Sequence, residues 1–114
     1  MFAYEITNLR FSLPAGGAVA QHRFVSVSGD KAVQATAATP IVGASMNEVT
    51  AEELAKNDRI VEIADGIVMV EAAGAITSGA TVASDANGRA VAGEGAGIAI
   101  TAATGAGQLV AVKI

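Results

Sequence analysis

Apolar and polar residues alternate over short stretches of this chain, and glycine- or proline-containing breaks separate the stretches. Alternation with a period of two is typical of half-buried β-strands. The last stretch places Val110, Val112 and Ile114 on one face. Many short strands separated by glycine turns predict a mainly β domain, a small barrel or sandwich of antiparallel strands. The other predicted strands cover residues 24–27, 32–34, 41–45, 60–63, 67–70, 81–82, 90–91 and 98–100.

Residues 1–17 are predicted to form an N-terminal arm or first strand, ahead of a single β-rich domain that spans residues 18–114. The apolar phase changes at Thr7 and Asn8, which predicts a bend or a bulge there. Two interpretations stay open: an ordinary first strand of the core, or an arm that docks on a partner. The candidate contact residues of the arm are Phe2, Tyr4, Ile6, Leu9, Phe11 and Leu13.

One short helix is predicted over residues 50–57. Thr50 and Glu53 have the spacing of a capping box, in which each side chain satisfies a free backbone N–H. Val49 and Leu54 occupy the two positions of a hydrophobic staple around that cap. The helix has about two turns and needs tertiary packing to be stable.

The stretch SDANGR, residues 84–89, is compatible with two structures. Asp85 and Asn87 match the start of a calcium loop, but the further oxygen ligands of such a loop do not follow. Arg89 also brings a positive charge to the place where a cation would bind. Asp85, Asn87 and Gly88 each favour turns, so we predict a structural turn between two strands.

An internal repeat is visible at low similarity. Residues 41–45, a link and residues 57–61 resemble residues 97–100, a link and residues 107–111. In both copies a short strand of small residues leads into an alternating strand. The repeat favours a pseudo-symmetric barrel, since two copies are too few for a solenoid.

The composition limits the size of the core. The chain has 114 residues and 52% hydrophobic residues, but aromatic residues make up only 4% and Trp is absent. Alanine, which contributes little burial energy, supplies much of the apolar fraction, whereas large side chains contribute about 1.5–3 kcal/mol each. Such a chain gains stability by burying more surface against copies of itself or against a partner.

Charge and residue content exclude several function classes. The net charge is -4, and the seven basic residues are scattered, so the basic surface that nucleic acid requires is lacking. The absence of Cys excludes disulfides and thiolate sites. No apolar run approaches the ~20 residues of a membrane helix, and the start of the chain lacks a secretory signal. We expect a protein made in a cytoplasm.

Catalytic residues are sparse. His22 is the single histidine, and a hydrolase that uses it with a Ser or Asp is the enzyme alternative. No neighbouring residues complete a recognisable nucleophile, base and orienting group. We expect no enzymatic activity, no cofactor and no metal.

The order of the motifs along residues 22–114 resembles the capsid cement, or head decoration, family of tailed bacteriophages. Each motif is a simple Gly, Ala and Val pattern, and their order is more specific than any one of them. The arm and the full helix at residues 50–57 depart from the family pattern. The matching stretches are RFV…GD (23–30), PIVGA (40–44), GIV…VEAAGAI (66–76), GATVASDANGRAV (79–91) and GIA…AGQLV (97–110).

The resemblance implies a structural virion protein on the capsid exterior, made in the bacterial host. Its expected partners are the major capsid protein and further copies of itself, most commonly as a homotrimer, with neither nucleic acid nor membrane. The implied role is to clamp neighbouring capsid subunits together. A small-ligand or carbohydrate-binding β-module, such as part of a head or tail fibre, is the alternative.

Overall fold

The computed structural model describes residues 5–37 and 39–114 and has the mainly β fold that the sequence predicts. Strand makes up 50% of the chain and helix 6%. The antiparallel sheet curls into a half-barrel. Its elements are β1 (Ile6–Pro14), β2 (Phe24–Ser28), β3 (Lys31–Gln34), β4 (Gly43–Ser45), α1 (Ala51–Lys56), β5 (Ile60–Glu71), β6 (Thr81–Ser84), β7 (Ala90–Ala92), β8 (Gly97–Ala99) and β9 (Leu109–Lys113).

The sheet has the strand order β3-β2-β4-β5-β9-β8-β6-β7, and β1 also pairs with β5. The central strand β5 therefore carries β1 along residues 60–67 of one edge, while β4 pairs with Ile63 and Ala64 and β9 pairs with residues 67–71. Ile60 and Val61 are adjacent on β5, so only one of them can face the core. In the structure Val61 and Ile63 are buried, and Ile60 points outward.

The prediction of two separate strands over residues 60–63 and 67–70 is wrong. Residues 60–71 form one continuous strand. Gly66 instead lies opposite the register shift between Thr7 and Leu9, which confirms the bulge predicted there. Gly66 has φ +115°, and a Cβ on it would lie 2.6 Å from the carbonyl oxygen of Ile6. Only glycine fits this close approach of two backbones.

The predicted arm is, over residues 6–14, a strand of the sheet rather than a detached segment. It pairs with β5 from Ile6 to Pro14. Phe11 and Leu13 are half-buried against an apolar cluster. Phe2 and Tyr4 lie outside the described residues.

Two apolar clusters fill the half-barrel. Alanine and valine supply all but three of the buried apolar residues in the described chain. Phe24, Ile63 and Ile76 are the exceptions. The larger cluster contains Phe24, Val68, Val70, Ile76, Val82, Val110 and Val112 with seven alanines, and the smaller one contains Val19, Val25, Val49, Val61 and Ile63 with two alanines.

Residues 15–64 and residues 72–113 repeat one hydrogen-bond pattern, so the internal repeat extends well beyond the stretches visible in the sequence. The first half of β5 belongs to the first copy, and β9 is its equivalent in the second copy. The matched N–H to C=O bonds are Ala15→Arg59 (2.9 Å) with Ala72→Gln108 (2.8 Å), Gly16→Ala32 (2.8 Å) with Ala73→Ala90 (2.9 Å), Val19→Val49 (2.9 Å) with Ile76→Ala103 (2.9 Å), His22→Ser45 (3.0 Å) with Gly79→Ala99 (2.7 Å), and Val42→Val25 (2.9 Å) with Ala96→Val82 (3.0 Å).

A pair of glycines also obeys the repeat. Gly43 on β4 and Gly97 on β8 occupy equivalent positions. A Cβ on Gly43 would lie 2.5 Å from the carbonyl oxygen of Ala64, and one on Gly97 would overlap the carbonyl oxygen of Lys113. The two copies therefore share a tight strand crossing as well as their hydrogen bonds.

His22 and Gly79 are equivalent residues in the two copies, and both have a left-handed backbone, with φ of 60° and 84°. We expect His22→Gly to keep the free energy of unfolding or raise it by up to about 1 kcal/mol. The left-handed conformation costs a residue with a side chain about 1–2 kcal/mol, which glycine avoids. The greater backbone freedom of glycine favours the unfolded state by about 0.4–1 kcal/mol, which offsets part of this gain.

The reciprocal change Gly79→His is the matched control. Nothing lies within 4 Å of a Cβ built there, so the expected loss of about 0.5–1 kcal/mol is purely a backbone effect. Urea denaturation measures both variants. A loss above about 2 kcal/mol in His22→Gly would mean that the imidazole itself holds this turn.

Candidate functional site

The candidate functional site is a surface on which apolar side chains and backbone groups are left uncovered. No group of three or more His, Cys, Asp or Glu side chains that would suit a metal occurs among the described residues. None of the described helices is long and apolar enough to cross a membrane.

The start of β1 is the first such place. Ile6 is 59% exposed and Leu9 is 55% exposed. Within the described part of the chain, β1 pairs as a strand with β5 alone, so its other edge is free. We call Ile6, Leu9 and this free edge the β1 surface. It contains two of the predicted arm residues, whereas Phe11 and Leu13, further along the same face, are half-buried against the smaller cluster.

A shallow groove adjoins the β1 surface at the bulge. Its volume is about 160 Å³. Ile6, Asn8, Ile67 and Ile114 contribute to its lining, together with Lys113. The groove is small and has both apolar and polar lining groups, so it suits one side chain of a protein partner.

The predicted turn at Asp85 is a hydrogen-bonded turn. The Asp85 carboxylate accepts hydrogen bonds from the backbone N–H groups of Asn87 and Arg89, both at 2.8 Å, and its Oδ2 lies 3.1 Å from Arg89 Nε. Gly88 has φ 76° and follows Asn87 as the left-handed residue that closes the loop. Both carboxylate oxygens are thus bound to groups of the chain itself.

The pKa of Asp85 reflects this geometry. Partial burial on its own would raise the pKa, but the N–H groups of Arg89 and Asn87 and the Arg89 guanidinium lower it below the usual 3.8. The carboxylate is therefore a charged structural group of the turn.

The helix cap has the predicted pattern. The Thr50 hydroxyl accepts from the N–H of Glu53, and the Glu53 carboxylate accepts from the N–H of Thr50, each at 3.1 Å. The backbone and hydroxyl hydrogen bonds from Thr50 lower the pKa of Glu53, with Arg59 adding to the effect. Helix α1 begins at Ala51, and Asn57 is its C-terminal cap.

His22, the histidine of the enzyme alternative, is held through its backbone. Its N–H donates to Ser45 at 3.0 Å, and its carbonyl accepts from the N–H of Glu71 at 2.8 Å. No hydrogen bond of its ring to a carboxylate or hydroxyl is found in the described residues. The structure thus assigns His22 a position in a turn between β1 and β2.

Arg23 was not singled out in the sequence, yet it joins the two copies of the repeat. Its NH1 donates to the carbonyl of Asn87 at 3.0 Å, and its NH2 lies 3.3 Å from the Glu71 carboxylate. Beside it, the N–H of Phe24 donates to the carbonyl of Gly88 at 2.8 Å. The turn at Asp85 is therefore docked on the start of β2. The sequence signal was only a basic residue at a strand start, which is too common to predict this contact.

Comparison with known proteins points in one direction. No protein-family model matches the chain, and a search of curated proteins gives no significant match. Among solved structures, the chain is similar to the N base of the head fiber gp8.5 of bacteriophage phi29, with a TM-score of 0.71 and 20% identity. The match covers 91% of this chain and 92% of that one, and it shows a shared fold. That neighbour is a head-fiber protein, so membership in the cement family stays a prediction.

The lowered pKa of Asp85 predicts a pH-dependent contribution to stability. Because the folded-state pKa lies below the unfolded-state pKa, the carboxylate stabilises the fold fully above the unfolded value, and this is lost as pH falls through the folded value. We expect Asp85→Asn to cost about 1 kcal/mol near neutral pH. This difference from the parent chain should shrink as pH falls from the unfolded-state pKa of Asp85 through its lower folded-state pKa.

Urea denaturation of both chains at several pH values measures this, and the acidic residues common to both cancel in the difference. A difference that stays constant down to the lowest pH would contradict the assigned role of the Asp85 charge.

Proposed function

We propose that this protein is a structural component of a tailed-phage virion that binds the outer surface of the capsid and cements the lattice of the major capsid protein. One observation carries the proposal: the fold is shared, over nearly the full length of both chains, with the N base of a phage head fiber. Function resides in sites rather than in folds, so the surface must also suit a protein partner.

The β1 surface suits a protein partner in two ways. Its apolar side chains, Ile6 and Leu9, gain free energy when they are covered. Its free strand edge offers unpaired backbone N–H and C=O groups, which can add to a strand of another chain. In this proposal the major capsid protein covers the β1 surface.

We further propose that the protein acts as a homo-oligomer, most commonly a homotrimer, without catalytic activity and without nucleic acid or membrane as partners. The core of alanine and valine supports self-assembly, because it contributes less burial energy than a core of large side chains. Assembly also raises the overall affinity for the capsid, because the first bound copy raises the effective concentration of the others.

A second candidate is the base of a head fiber, which the structural neighbour favours by its own description. A cement protein and a fiber base differ in what they do to the shell. The cement role predicts that empty capsids withstand higher temperature once the protein is bound, whereas a fiber base need only attach. Heating capsids with and without the protein separates the two.

The carbohydrate-binding form of this alternative has less support. Sugar recognition commonly uses an exposed aromatic ring, and neither aromatic side chain in the described residues provides one. Phe24 is fully buried, and Phe11 is half-buried against the smaller cluster. Binding of the purified protein on a glycan array would revive this alternative.

The β1 surface gives a direct test of capsid binding. We expect the double variant Ile6→Lys, Leu9→Lys to bind empty capsids of its phage about 100-fold more weakly. Each apolar side chain contributes about 1.5 kcal/mol when buried, and 1.4 kcal/mol is a factor of ten. Co-sedimentation over a range of protein concentrations measures the affinity.

Leu109→Lys is the control, because Leu109 is an exposed apolar residue on β9, which does not pair with β1. It should bind as the parent does, and circular dichroism should show both variants folded. Parental affinity in the double variant would show that the capsid is bound elsewhere.

A further inference from the structure

A turn of the second copy docks on the first copy, and among the described residues no turn of the first copy docks on the second. The second turn, residues 85–88, docks on the start of β2 and the end of β3. We call Arg23, Phe24, Gln34 and Ala35 the first base. The corresponding residues of the second copy, Ala80, Thr81, Ala92 and Gly93, form the second base. The correspondence rests on matched bonds, since the N–H of Ala35 donates to Phe24 at 2.9 Å and that of Gly93 to Thr81 at 3.1 Å.

The two surfaces that would make the equivalent contact, the first turn and the second base, are both uncovered. Gly88 of the second turn is buried, whereas Asp30, its counterpart in the first turn (residues 28–31), is exposed. Both have a left-handed backbone, with φ of 76° and 63°. Phe24 of the first base is fully buried, and its counterpart Thr81 is exposed. Each chain thus has one free turn and one free base.

The second base is less crowded than the first at one position. A Cβ on Gly88 would lie 3.0 Å from Gln34 Cγ, 3.0 Å from the carbonyl oxygen of Phe24 and 3.3 Å from Arg23 Cβ, so the first base favours a turn without a side chain there. On the second base Ala92 has no Cγ, whereas the Thr81 carbonyl and the Ala80 Cβ remain. The Asp30 side chain therefore meets fewer atoms there and needs a shift of only a few tenths of an ångström.

Charge and apolar surface agree with this pairing. Lys31 ends the free turn and Glu94 follows the free base, so these two side chains have opposite charges and can pair, although Asp30 leaves the free turn without a net charge. Val27, next to the free turn, is 46% exposed. Its counterpart Ser84, next to the docked turn, is 7% exposed. A docked free turn would cover Val27 in the same way.

We infer that the free turn of one copy docks on the free base of a second copy, with the backbone N–H of Thr81 donating to the carbonyl of Asp30 as that of Phe24 does to Gly88. This inference deepens the proposed function and rests on its self-assembly. The turn and the base are different surfaces, so the contact runs head to tail. Such a contact forms a ring if the rotation between copies closes and an open filament if it does not, and the proposed homotrimer corresponds to a closed ring.

Replacing residues of the second base by the equivalent residues of the first base tests the contact. We expect Ala80→Arg with Ala92→Gln to weaken self-association of the whole chain at least tenfold, because these side chains fill the space for Asp30. Adding Asp30→Gly, which imitates Gly88, should restore association to within about threefold of the parent. Sedimentation equilibrium and light scattering over a range of concentrations measure the association.

The matched control, Ala51→Gln with Ala55→Arg, adds similar side chains to exposed positions of α1 and should leave association unchanged. Unchanged association in the Ala80, Ala92 variant, or loss that Asp30→Gly does not restore, would overturn the docking while leaving the proposed function intact. A parent chain that stays monomeric at high concentration would also overturn it. Capsid co-sedimentation of that monomer then reports separately on the virion role.

Discussion

The pairing of both halves of the chain with one strand, β5, is the constraint on which the rest of the structure depends. Its first residues carry β1 and β4, and its last residues carry β9. Neither half can separate without breaking hydrogen bonds to the same twelve-residue strand. Gly66 makes this continuity possible, because it lets β1 bulge past β5 without interrupting it.

The shared strand also explains how a core of small side chains is sufficient. Alanine and valine fill most of both clusters, and each buried methyl or methylene group contributes only about 0.8 kcal/mol. The docking of Gly88 on the first base covers Phe24, the largest fully buried side chain described. The contact between the copies of the repeat therefore protects the part of the core with the largest burial energy. Within the described residues the second copy has no such cover, and an assembly of copies would supply it.

Features that depend on neighbouring residues were predictable from the sequence. The capping pair Thr50 and Glu53 and the turn at Asp85 have their partners within four residues, so residue type and spacing define them. The bulge near Thr7 was visible as a change of apolar phase. The continuity of β5 through Gly66 was missed, because Asp-Gly favours turns locally. The strand opposite Gly66 lies about sixty residues away in the sequence.

Most of the repeat was hidden for a related reason. Its copies conserve backbone hydrogen bonds, while the side chains at equivalent positions differ: Arg23 and Ala80, Phe24 and Thr81. Identical residues are kept at few equivalent positions, among them Gly43 and Gly97, which permit close strand approach, and Val25 and Val82. The candidate surface was predicted in part, since Ile6 and Leu9 are exposed but Phe11 and Leu13 support the fold.

The central claim is that the chain contains two copies of one structural unit. The contact between a turn and a base is made once within the chain, by the second turn on the first base. Amide hydrogen exchange at Phe24 and Thr81 tests it most directly, because the two N–H groups are equivalent. The account predicts strong protection of Phe24 at every concentration, and protection of Thr81 only when copies associate. Equal protection of both amides in the monomer, or an unprotected Phe24, would contradict it.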